Sequence, residues 1–196
     1  FPAQELERVA KRAQQIALSF DEPPKRFLDL GAGDGQVTQK LAESWKTSPA
    51  NAVAMDVIPV PSSPLVTSVQ MPQGILRIPA DSRSFDAAIV SMVFHHVENP
   101  ELLMAELHRV IKEGETLVVR EADANSSTSM ALNGFADLLF YSVLENHPDV
   151  PMPNNFLPSD TWIRLLKQGG FDLIGASNPE PHNPLAPVQL TFKRRP

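Results

Sequence analysis

Short apolar runs alternate along the chain with longer stretches in which apolar residues recur at helical spacing. The short runs suit strands that are buried on both faces, and the spaced stretches are typical of helices with one apolar face. We therefore predict strands at 26 to 30, 51 to 56, 85 to 91, 116 to 120, 171 to 177 and 187 to 193. Helices are predicted at 3 to 20, 35 to 46, 100 to 112 and 128 to 146. A further short helix holds Trp162, Ile163, Leu165 and Leu166; Ser159 and Asp160 can cap it, and Gly169 and Gly170 end it.

The segment from 57 to 77 departs from this alternation. It holds prolines at 59, 61, 64 and 72, and proline removes a helical hydrogen bond and clashes with the preceding turn. A long helix is therefore excluded here, and a short strand is expected at 65 to 70 or at 74 to 78. The order of the elements predicts a doubly wound α/β fold whose second crossover helix is largely missing.

The most informative pattern is a strand that breaks into a glycine turn. Residues 27 to 35 read FLDLGAGDG, and a predicted helix begins directly after them. Such a turn leaves space for a nucleotide-like ligand, and the amides at the start of the helix attract an anionic group. Asp56 ends the next strand about 20 residues later, where an acidic residue can accept hydrogen bonds from both ribose hydroxyls. The glycine spacing is G-x-G-x-G rather than G-x-G-x-x-G, which disfavours a nicotinamide-dependent oxidoreductase.

This stretch resembles motif I of the class I S-adenosylmethionine-dependent methyltransferases, in which an acidic residue stands two positions before the first glycine. Residues 78 to 91, IPADSRSFDAAIVS, resemble the family's LP-x-x-x-x-SFD segment and its fourth strand. Residues 94 to 97, FHHV, resemble the LHH that follows it. Residues 102 to 114, LLMAELHRVIKEG, resemble the helix that leads to the fifth strand. We therefore identify the chain as a member of this family.

The resemblance implies a doubly wound, mostly parallel seven-stranded sheet with helices on both faces and an antiparallel last strand. It also implies one methyltransferase domain over residues 1 to 196, with S-adenosylmethionine as cofactor. The chain starts at Phe1 rather than at Met and ends in a basic segment, so we expect it to be part of a longer polypeptide.

The family pattern also assigns cofactor contacts. The glycine turn would surround the methionine part of the cofactor, the carboxylate after strand two would hold the ribose, and a serine at the end of strand four would lie beneath the sulfur. The residues in these positions are Asp29, Gly31, Ala32, Gly33, Gly35, Asp56, Val57 and Ser91. Many relatives carry an acidic residue for the adenine amino group where Gly74 stands here, so Gln73, Gln70 or the backbone would read the adenine.

Several polar residues are candidates for the acceptor side, namely His95, His96, Glu121, Asp123, Tyr141 and His147. Ligands bind beyond the carboxyl ends of the strands in open sheets, which favours His95 and Glu121 as catalytic residues. Histidine titrates near neutrality and can take a proton from an oxygen or nitrogen acceptor.

A structural role is the alternative for each of these residues. One histidine ring of the pair would then pack while the other would bind a loop, and Glu121 and Asp123 would cap the following helix or pair with Arg120. The histidines do not have the spacing of metal ligands, so no metal is expected.

Composition narrows the class of protein. A chain of 196 residues suits one domain with a single core. The absence of cysteine excludes disulfides, thiolate metal ligands and a cysteine nucleophile. Neither a signal peptide nor a membrane-spanning run is visible, so a soluble, cytoplasmic protein is expected.

A net charge of -6 argues against binding nucleic acid over a large surface, although basic pairs at 11 to 12, 25 to 26 and 194 to 195 could form a local groove. The alternative for those pairs is ordinary solvated surface.

Three functions follow from these observations. The leading one is methyl transfer to an oxygen or nitrogen atom of a small metabolite or of an RNA cap. A more specific alternative is the cap guanine-N7 methyltransferase domain of a viral or multidomain capping protein, because that reaction needs little base catalysis and Arg120-Glu121 ends the fifth strand. The third is a non-catalytic S-adenosylmethionine-binding module, which Gly74 and the irregular second crossover would suit.

Overall fold

A computed structural model describes residues 2–72, 74, 76–140, 142 and 155–196, except for the side chain of residue 2. This part of the chain forms seven strands and five α-helices. The strands are β1 (Phe27–Leu30), β2 (Ala52–Asp56), β3 (Thr67–Gln70), β4 (Phe85–Ser91), β5 (Ile111–Ala122), β6 (Phe171–Ser177) and β7 (Pro187–Arg194). The helices are α1 (Pro2–Ala17), α2 (Gln36–Trp45), α3 (Pro100–Val110), α4 (Ser127–Leu139) and α5 (Ser159–Gln168). Single turns of 3-10 helix lie at Pro49–Asn51 and Phe94–His96.

The strands form one sheet in the order β3-β2-β1-β4-β5-β7-β6. Strands β1 to β5 are parallel to one another, whereas β7 is antiparallel to both β5 and β6. The chain reverses direction across the sheet between β1 and β4, and ligands of open α/β sheets bind at such a point. The prediction of a mostly parallel seven-stranded sheet with an antiparallel last strand is therefore confirmed.

Two apolar layers cover the faces of the sheet. Strand β1 contributes to both, because alternate side chains point to opposite faces. Leu28 packs in the cluster that holds Leu107 of α3 and Trp162 of α5. Phe27 packs in the other cluster, with Ile16 of α1 and Leu41 of α2. Helices thus lie on both faces of the sheet, as predicted.

The second crossover is irregular, as its prolines predict. Residues 57 to 66 form no α-helix, and the chain enters β3 at the first of the two positions that the sequence allowed. None of the described helices is long and apolar enough to cross a bilayer.

The boundary between α3 and β5 differs from the prediction. The helix ends at Val110 and the strand begins at the next residue, because Ile111 pairs with Phe85 ahead of an irregularity in the ladder. The apolar pattern does not predict this part of the strand, because polar residues follow Ile111. The predicted helix from 128 to 146 is confirmed as far as Leu139, and residues 143 to 146 lie outside the described residues.

The start of α5 also corrects an expectation. The sequence suggests that Ser159 and Asp160 cap this helix, but its N-cap is Pro158 and no side chain of α5 closes the end. Instead, the carboxylate of Asp123 accepts a hydrogen bond of 2.7 Å from the amide of Ser159. One alternative was that Asp123 caps the helix that follows it, which is α4. Asp123 does cap a helix, but that helix is α5.

Candidate cofactor and acceptor site

The glycine turn after β1 is fixed by the end of β2. The amides of Gly31 and Ala32 donate to the carbonyl of Met55 at 2.8 and 3.0 Å. Gly31, Gly33 and Gly35 have φ angles of 76°, 56° and 73°, in the left-handed region that L side chains rarely adopt. The backbone conformation thus explains why three glycines alternate here.

The space around the turn differs between its glycines. A Cβ atom on Gly31 would lie 2.1 Å from Cγ2 of Val93, so the turn and the chain after β4 are in close contact. A Cβ atom on Gly33 would meet nothing within 4 Å. The turn is therefore closed on the side of Gly31 and open at Gly33, where a ligand can approach the backbone.

Asp56 lies against the open part of the turn. Its Oδ2 atom accepts a hydrogen bond of 2.7 Å from the amide of Gly33, and its Oδ1 atom accepts one of 3.1 Å from the amide of Ile58. Each carboxylate oxygen has a second lone pair that can accept from a ligand hydroxyl. The side chain is only partly buried, so the structure brings an accessible acceptor to the glycine turn.

The neighbouring candidates for the adenine end are less well defined. Val57 is partly buried against the core, and its carbonyl accepts a hydrogen bond of 3.2 Å from Nε2 of Gln70. Gln70 therefore supports the backbone beside Asp56, while Gln73 lies outside the described residues. Gly74 is exposed and a Cβ atom there would meet nothing within 4 Å.

Asp29 is buried beneath the turn on the face that α2 covers. Its Oδ2 atom accepts a hydrogen bond of 2.6 Å from the hydroxyl of Thr38. Burial raises the pKa of Asp29 to about 6, with the nearby charge of Asp56 adding to the rise, while Thr38 and Arg12 oppose it. A buried carboxylate that ionises near neutrality gives the inner wall of the site a negative charge.

Arg12 is a residue that the sequence analysis did not assign to the site. It lies on α1, close enough to Asp29 for its charge to lower the pKa of that carboxyl. Its Nε atom is buried and has no hydrogen-bond partner among the described residues. The signal was present in the sequence, because Arg12 occupies the same helix face as the apolar residues Val9, Ala13 and Ile16.

Ser91 ends β4, the strand that pairs with β1 on the side opposite β2. Its hydroxyl oxygen is buried and makes no hydrogen bond within the described part of the chain. The following residue, Met92, has a left-handed φ of 59°, and its amide donates to the carbonyl of Arg120 at 2.7 Å. The chain therefore bends sharply at Met92, directly after Ser91, and this bend is bonded to β5.

Glu121 holds this bend from β5. Its Oε1 atom accepts hydrogen bonds of 2.8 and 2.7 Å from the amides of Val93 and Phe94, and its Oε2 atom lies 2.6 Å from Nδ1 of His95. Both Glu121 and His95 are 1% exposed. The structure thus brings His95 and Glu121 together, and it shows that the contacts of Glu121 are structural.

His95 is enclosed by rings and carboxylates. Its ring stacks on Phe156 with 4.5 Å between centroids, and the ring of His96 lies at 4.2 Å. Its Nε2 atom lies 3.7 Å from Oδ2 of Asp137 on α4. Burial lowers the pKa of His95, but Glu121 and Asp137 outweigh burial and raise the pKa to about 9.

The remaining candidates lie elsewhere or are not described. Arg120 pairs with neither Glu121 nor Asp123, so that alternative is wrong; its guanidinium binds Gln15 at 2.9 Å and the carboxylate of Glu180. Tyr141 and His147 lie outside the described residues.

Residues 3–175 match the family model of the methyltransferase domain. An uncharacterized methyltransferase of Mycobacterium tuberculosis is 34% identical over 99 residues, which cover 47% of this chain and 38% of the relative. The malonyl-[acyl-carrier protein] O-methyltransferase of a Paenibacillus species is 24% identical over 164 residues, which cover 76% of this chain and 56% of the relative. The chain therefore spans between about a third and somewhat more than half of the length of these relatives.

A solved structure shows the same fold. The 1,6-didemethyltoxoflavin-N1-methyltransferase of Burkholderia thailandensis, crystallised with 1,6-didemethyltoxoflavin and S-adenosylhomocysteine, superposes with a TM-score of 0.70. The sequence identity is 16%, and the match covers 96% of this chain and 79% of that one.

Proposed function

The chain belongs to the methyltransferase domain family, and from this premise we propose that it transfers the methyl group of S-adenosylmethionine to an oxygen or nitrogen atom of a small molecule. The fold and the family model agree with the predicted resemblance to the class I S-adenosylmethionine-dependent methyltransferases.

The observation that carries the proposal is that Gly33, Asp56 and Ser91 stand at the carboxyl ends of three adjacent strands, β1 and its neighbours β2 and β4. The backbone at Gly33 is open, the carboxylate of Asp56 borders it, and the buried hydroxyl of Ser91 has no hydrogen-bond partner among the described residues. A buried hydroxyl without a partner costs free energy unless a ligand satisfies it. These features fit an adenosyl cofactor whose ribose is held by Asp56 and whose sulfur lies near Ser91.

Two charged residues fit the methionine end of the cofactor. That end carries an ammonium and a carboxylate, and the structure offers a carboxylate at Asp29 and, close enough to lower the pKa of that carboxyl, the partly buried guanidinium of Arg12. Opposite charges in a partly desolvated site attract more strongly than in water. We assign Asp29, Gly31, Ala32, Gly33 and Gly35 to this end, and we add Arg12.

The cofactor, when bound, supplies an electrophilic methyl group on a positively charged sulfur. The chain has to align the acceptor with that methyl group, to exclude water and to receive a proton where the acceptor has one. Alignment alone can supply several kcal/mol of the barrier. All three donors around the carboxylate of Glu121 come from the protein itself, so we assign Glu121 the role of a positioning residue that holds Val93 to His95 in place. His95 keeps the acceptor-side role that the sequence predicts, and its Nε2 atom, which faces Asp137, is the atom that it can offer to a ligand.

A small acceptor is favoured over RNA because arginines of the basic pairs bind the protein itself. The guanidinium of Arg26 lies over the ring of Phe85 at 4.9 Å. Arg194 is 6% exposed and donates to the carbonyl of His108 at 2.6 Å. Arg12 lies close to Asp29, and we assign it to the cofactor. Lys11, Lys25 and Arg195 remain exposed, which is too few charges for the many phosphate contacts that RNA binding requires.

The surface of α4 also suits a small apolar acceptor. This helix brings Asp137 to His95, and it exposes Phe135, Leu138 and Leu139 by 60%, 51% and 43%. Exposed apolar residues grouped on one helix are typical of ligand grooves and interaction sites. One named relative methylates an oxygen and one named structural neighbour a nitrogen, so the proposal keeps both acceptor atoms.

The test is a binding and turnover experiment on the purified chain. Calorimetry with S-adenosylmethionine and S-adenosylhomocysteine should show one binding site. Radioactive methyl transfer is then measured with a panel of phenols, carboxylic acids, amines and nitrogen heterocycles, beside a capped RNA. Transfer to a small molecule that persists at high salt supports the proposal. Transfer only to capped RNA would overturn the choice of acceptor, binding without any transfer would indicate a non-catalytic module, and absence of binding would overturn the whole proposal.

A further inference from the structure

Three potential metal ligands come together beyond the end of β4. One side-chain atom each from His95, His96 and Asp137 can be chosen so that all three lie within 4.8 Å of one another. The first two residues belong to the 3-10 turn Phe94–His96, and the third belongs to α4. The expectation that no metal binds rested on the spacing of histidines along the chain, which could not include an aspartate about 40 residues away.

The distances between these atoms match those around a tetrahedral metal ion. Oδ2 of Asp137 lies 3.7 Å from Nε2 of His95 and 3.5 Å from Nε2 of His96. A zinc ion with bonds of about 2.1 Å to each ligand would separate the ligand atoms by about 3.4 Å. The observed distances are longer than a normal hydrogen bond but close to this tetrahedral edge.

The surroundings of His95 are those of a metal-bound histidine. Metal-binding histidines use one ring nitrogen for the metal and donate the other N–H group to a carboxylate or a carbonyl. In this protein, Nδ1 of His95 lies 2.6 Å from Oε2 of Glu121, which fixes the ring with Nε2 directed to Asp137. Nε2 itself is buried in a residue that is 1% exposed, and it makes no hydrogen bond within the described part of the chain. A buried polar atom in this state requires a partner.

We propose that His95, His96 and Asp137 bind one divalent transition metal ion, zinc by preference, with Glu121 orienting His95. Two imidazole nitrogens and one carboxylate favour zinc and similar ions over magnesium and calcium, which prefer oxygen ligands. Three protein ligands leave one position of a tetrahedron open, which is the arrangement of zinc sites that bind a substrate or water. The site lies four residues after Ser91, on the edge of the sheet to which the cofactor is assigned. The metal proposal does not depend on methyl transfer.

The experiment uses the whole chain after treatment with a chelator and removal of the chelator. Zinc chloride is titrated by calorimetry into the wild type, into Asp137→Asn and into His96→Gln, with His182→Ala as a matched control outside the cluster. One zinc ion should bind per wild-type chain. Loss of a group that only orients a metal ligand lowers metal affinity by up to about 100-fold. Each ligand variant should therefore bind zinc more than about 100-fold more weakly than the wild type, whereas the control should keep the wild-type affinity. Circular dichroism on all four proteins checks that they are folded.

Cobalt replaces zinc in a second measurement that reports geometry. Tetrahedral cobalt gives intense visible absorption bands, which wild type and His182→Ala should show and Asp137→Asn should lose. No stoichiometric zinc binding to the folded wild type would overturn the proposal. Equal binding by wild type and both ligand variants would place the ion elsewhere and would overturn it as well.

Discussion

The amide of Gly33 donates a 2.7 Å hydrogen bond to the carboxylate of Asp56, which joins the open glycine of the turn to the end of β2. The two residues that border the proposed ribose site are therefore held together without a ligand. A site formed in advance loses less conformational freedom when the ligand binds.

Asp56→Ala should bind S-adenosylmethionine about 10- to 100-fold more weakly than the wild type, because hydrogen bonds to a charged group contribute about 1.5–3 kcal/mol. Calorimetry measures the affinity. Asp34→Ala is the matched control, since Asp34 lies in the same turn but is exposed, and within the described part of the chain its carboxylate bonds only to Gln36. Equal affinity of Asp56→Ala and the wild type would refute the assignment of Asp56.

Gly31→Ala and Gly33→Ala should separate folding from cofactor binding. Both place an L side chain at positive φ, which costs about 1–2 kcal/mol of unfolding free energy. Gly31→Ala adds an overlap with Val93, for a further cost of about 1–3 kcal/mol. Gly33→Ala meets open space, so its main effect should be weaker cofactor binding.

Urea denaturation and calorimetry measure the two effects. The double variant Gly31→Ala, Val93→Ala should regain part of the stability that Gly31→Ala loses, because the smaller side chain leaves room for the added methyl group. A double variant as unstable as the sum of the two single variants would contradict the proposed contact.

Asp29→Asn should change how stability depends on pH. The pKa of Asp29 is raised from 3.8 to about 6 on folding, so the folded state favours the protonated form. Its contribution to stability is fully present below pH 3.8 and is lost as the pH rises through about 6. The neutral amide avoids this loss and can still accept from Thr38. The free energy of unfolding of the variant should therefore rise relative to that of the wild type by about 2 kcal/mol as the pH rises from 4.5 to 7.5.

The measurement is a urea denaturation series for both proteins across that pH range. The same variant should bind S-adenosylmethionine more weakly at pH 7.5, because it lacks the carboxylate assigned to the cofactor's ammonium. A stability difference that stays constant with pH would show that Asp29 does not titrate near neutrality.

Glu121→Ala and Asp123→Ala should differ in their effect on stability, although Glu121 lies at the end of β5 and Asp123 directly after it. Glu121→Ala leaves two backbone amides and the His95 ring without their buried acceptor, so we expect a loss of about 3–5 kcal/mol in unfolding free energy. Asp123→Ala removes one cap contact from α5, which should cost about 1 kcal/mol. Thermal and urea unfolding of both variants provide the comparison. Similar losses would mean that the carboxylate of Glu121 does not hold the bend after β4.

The sheet and the glycine turn could be predicted from the sequence, because both depend on short stretches of chain. The run from Phe27 to Leu30 is apolar apart from Asp29, and the alternating glycines follow from backbone angles that other residues adopt poorly. The irregular second crossover followed from its prolines in the same local way.

Contacts between distant segments could not be predicted in this way. Asp137 faces His95 from another element, Asp123 caps a helix that begins 36 residues later, and Arg120 binds Glu180 rather than its chain neighbours. Each of these pairings depends on how helices and loops pack over the sheet, which apolar periodicity does not specify. The polar start of β5 was missed because its pairing with Phe85, rather than burial of side chains, makes it a strand.

The position of β7 between β5 and β6 has a consequence for the order in which the chain can fold during synthesis. Strand β6 pairs only with β7 in the described sheet, and β7 comes last in sequence. While the ribosome is still making the chain, β1 to β5 can already assemble, but β6 must wait for a partner. The half of the sheet that carries the glycine turn can therefore form before the other half is complete, which we expect to give two distinct phases in refolding.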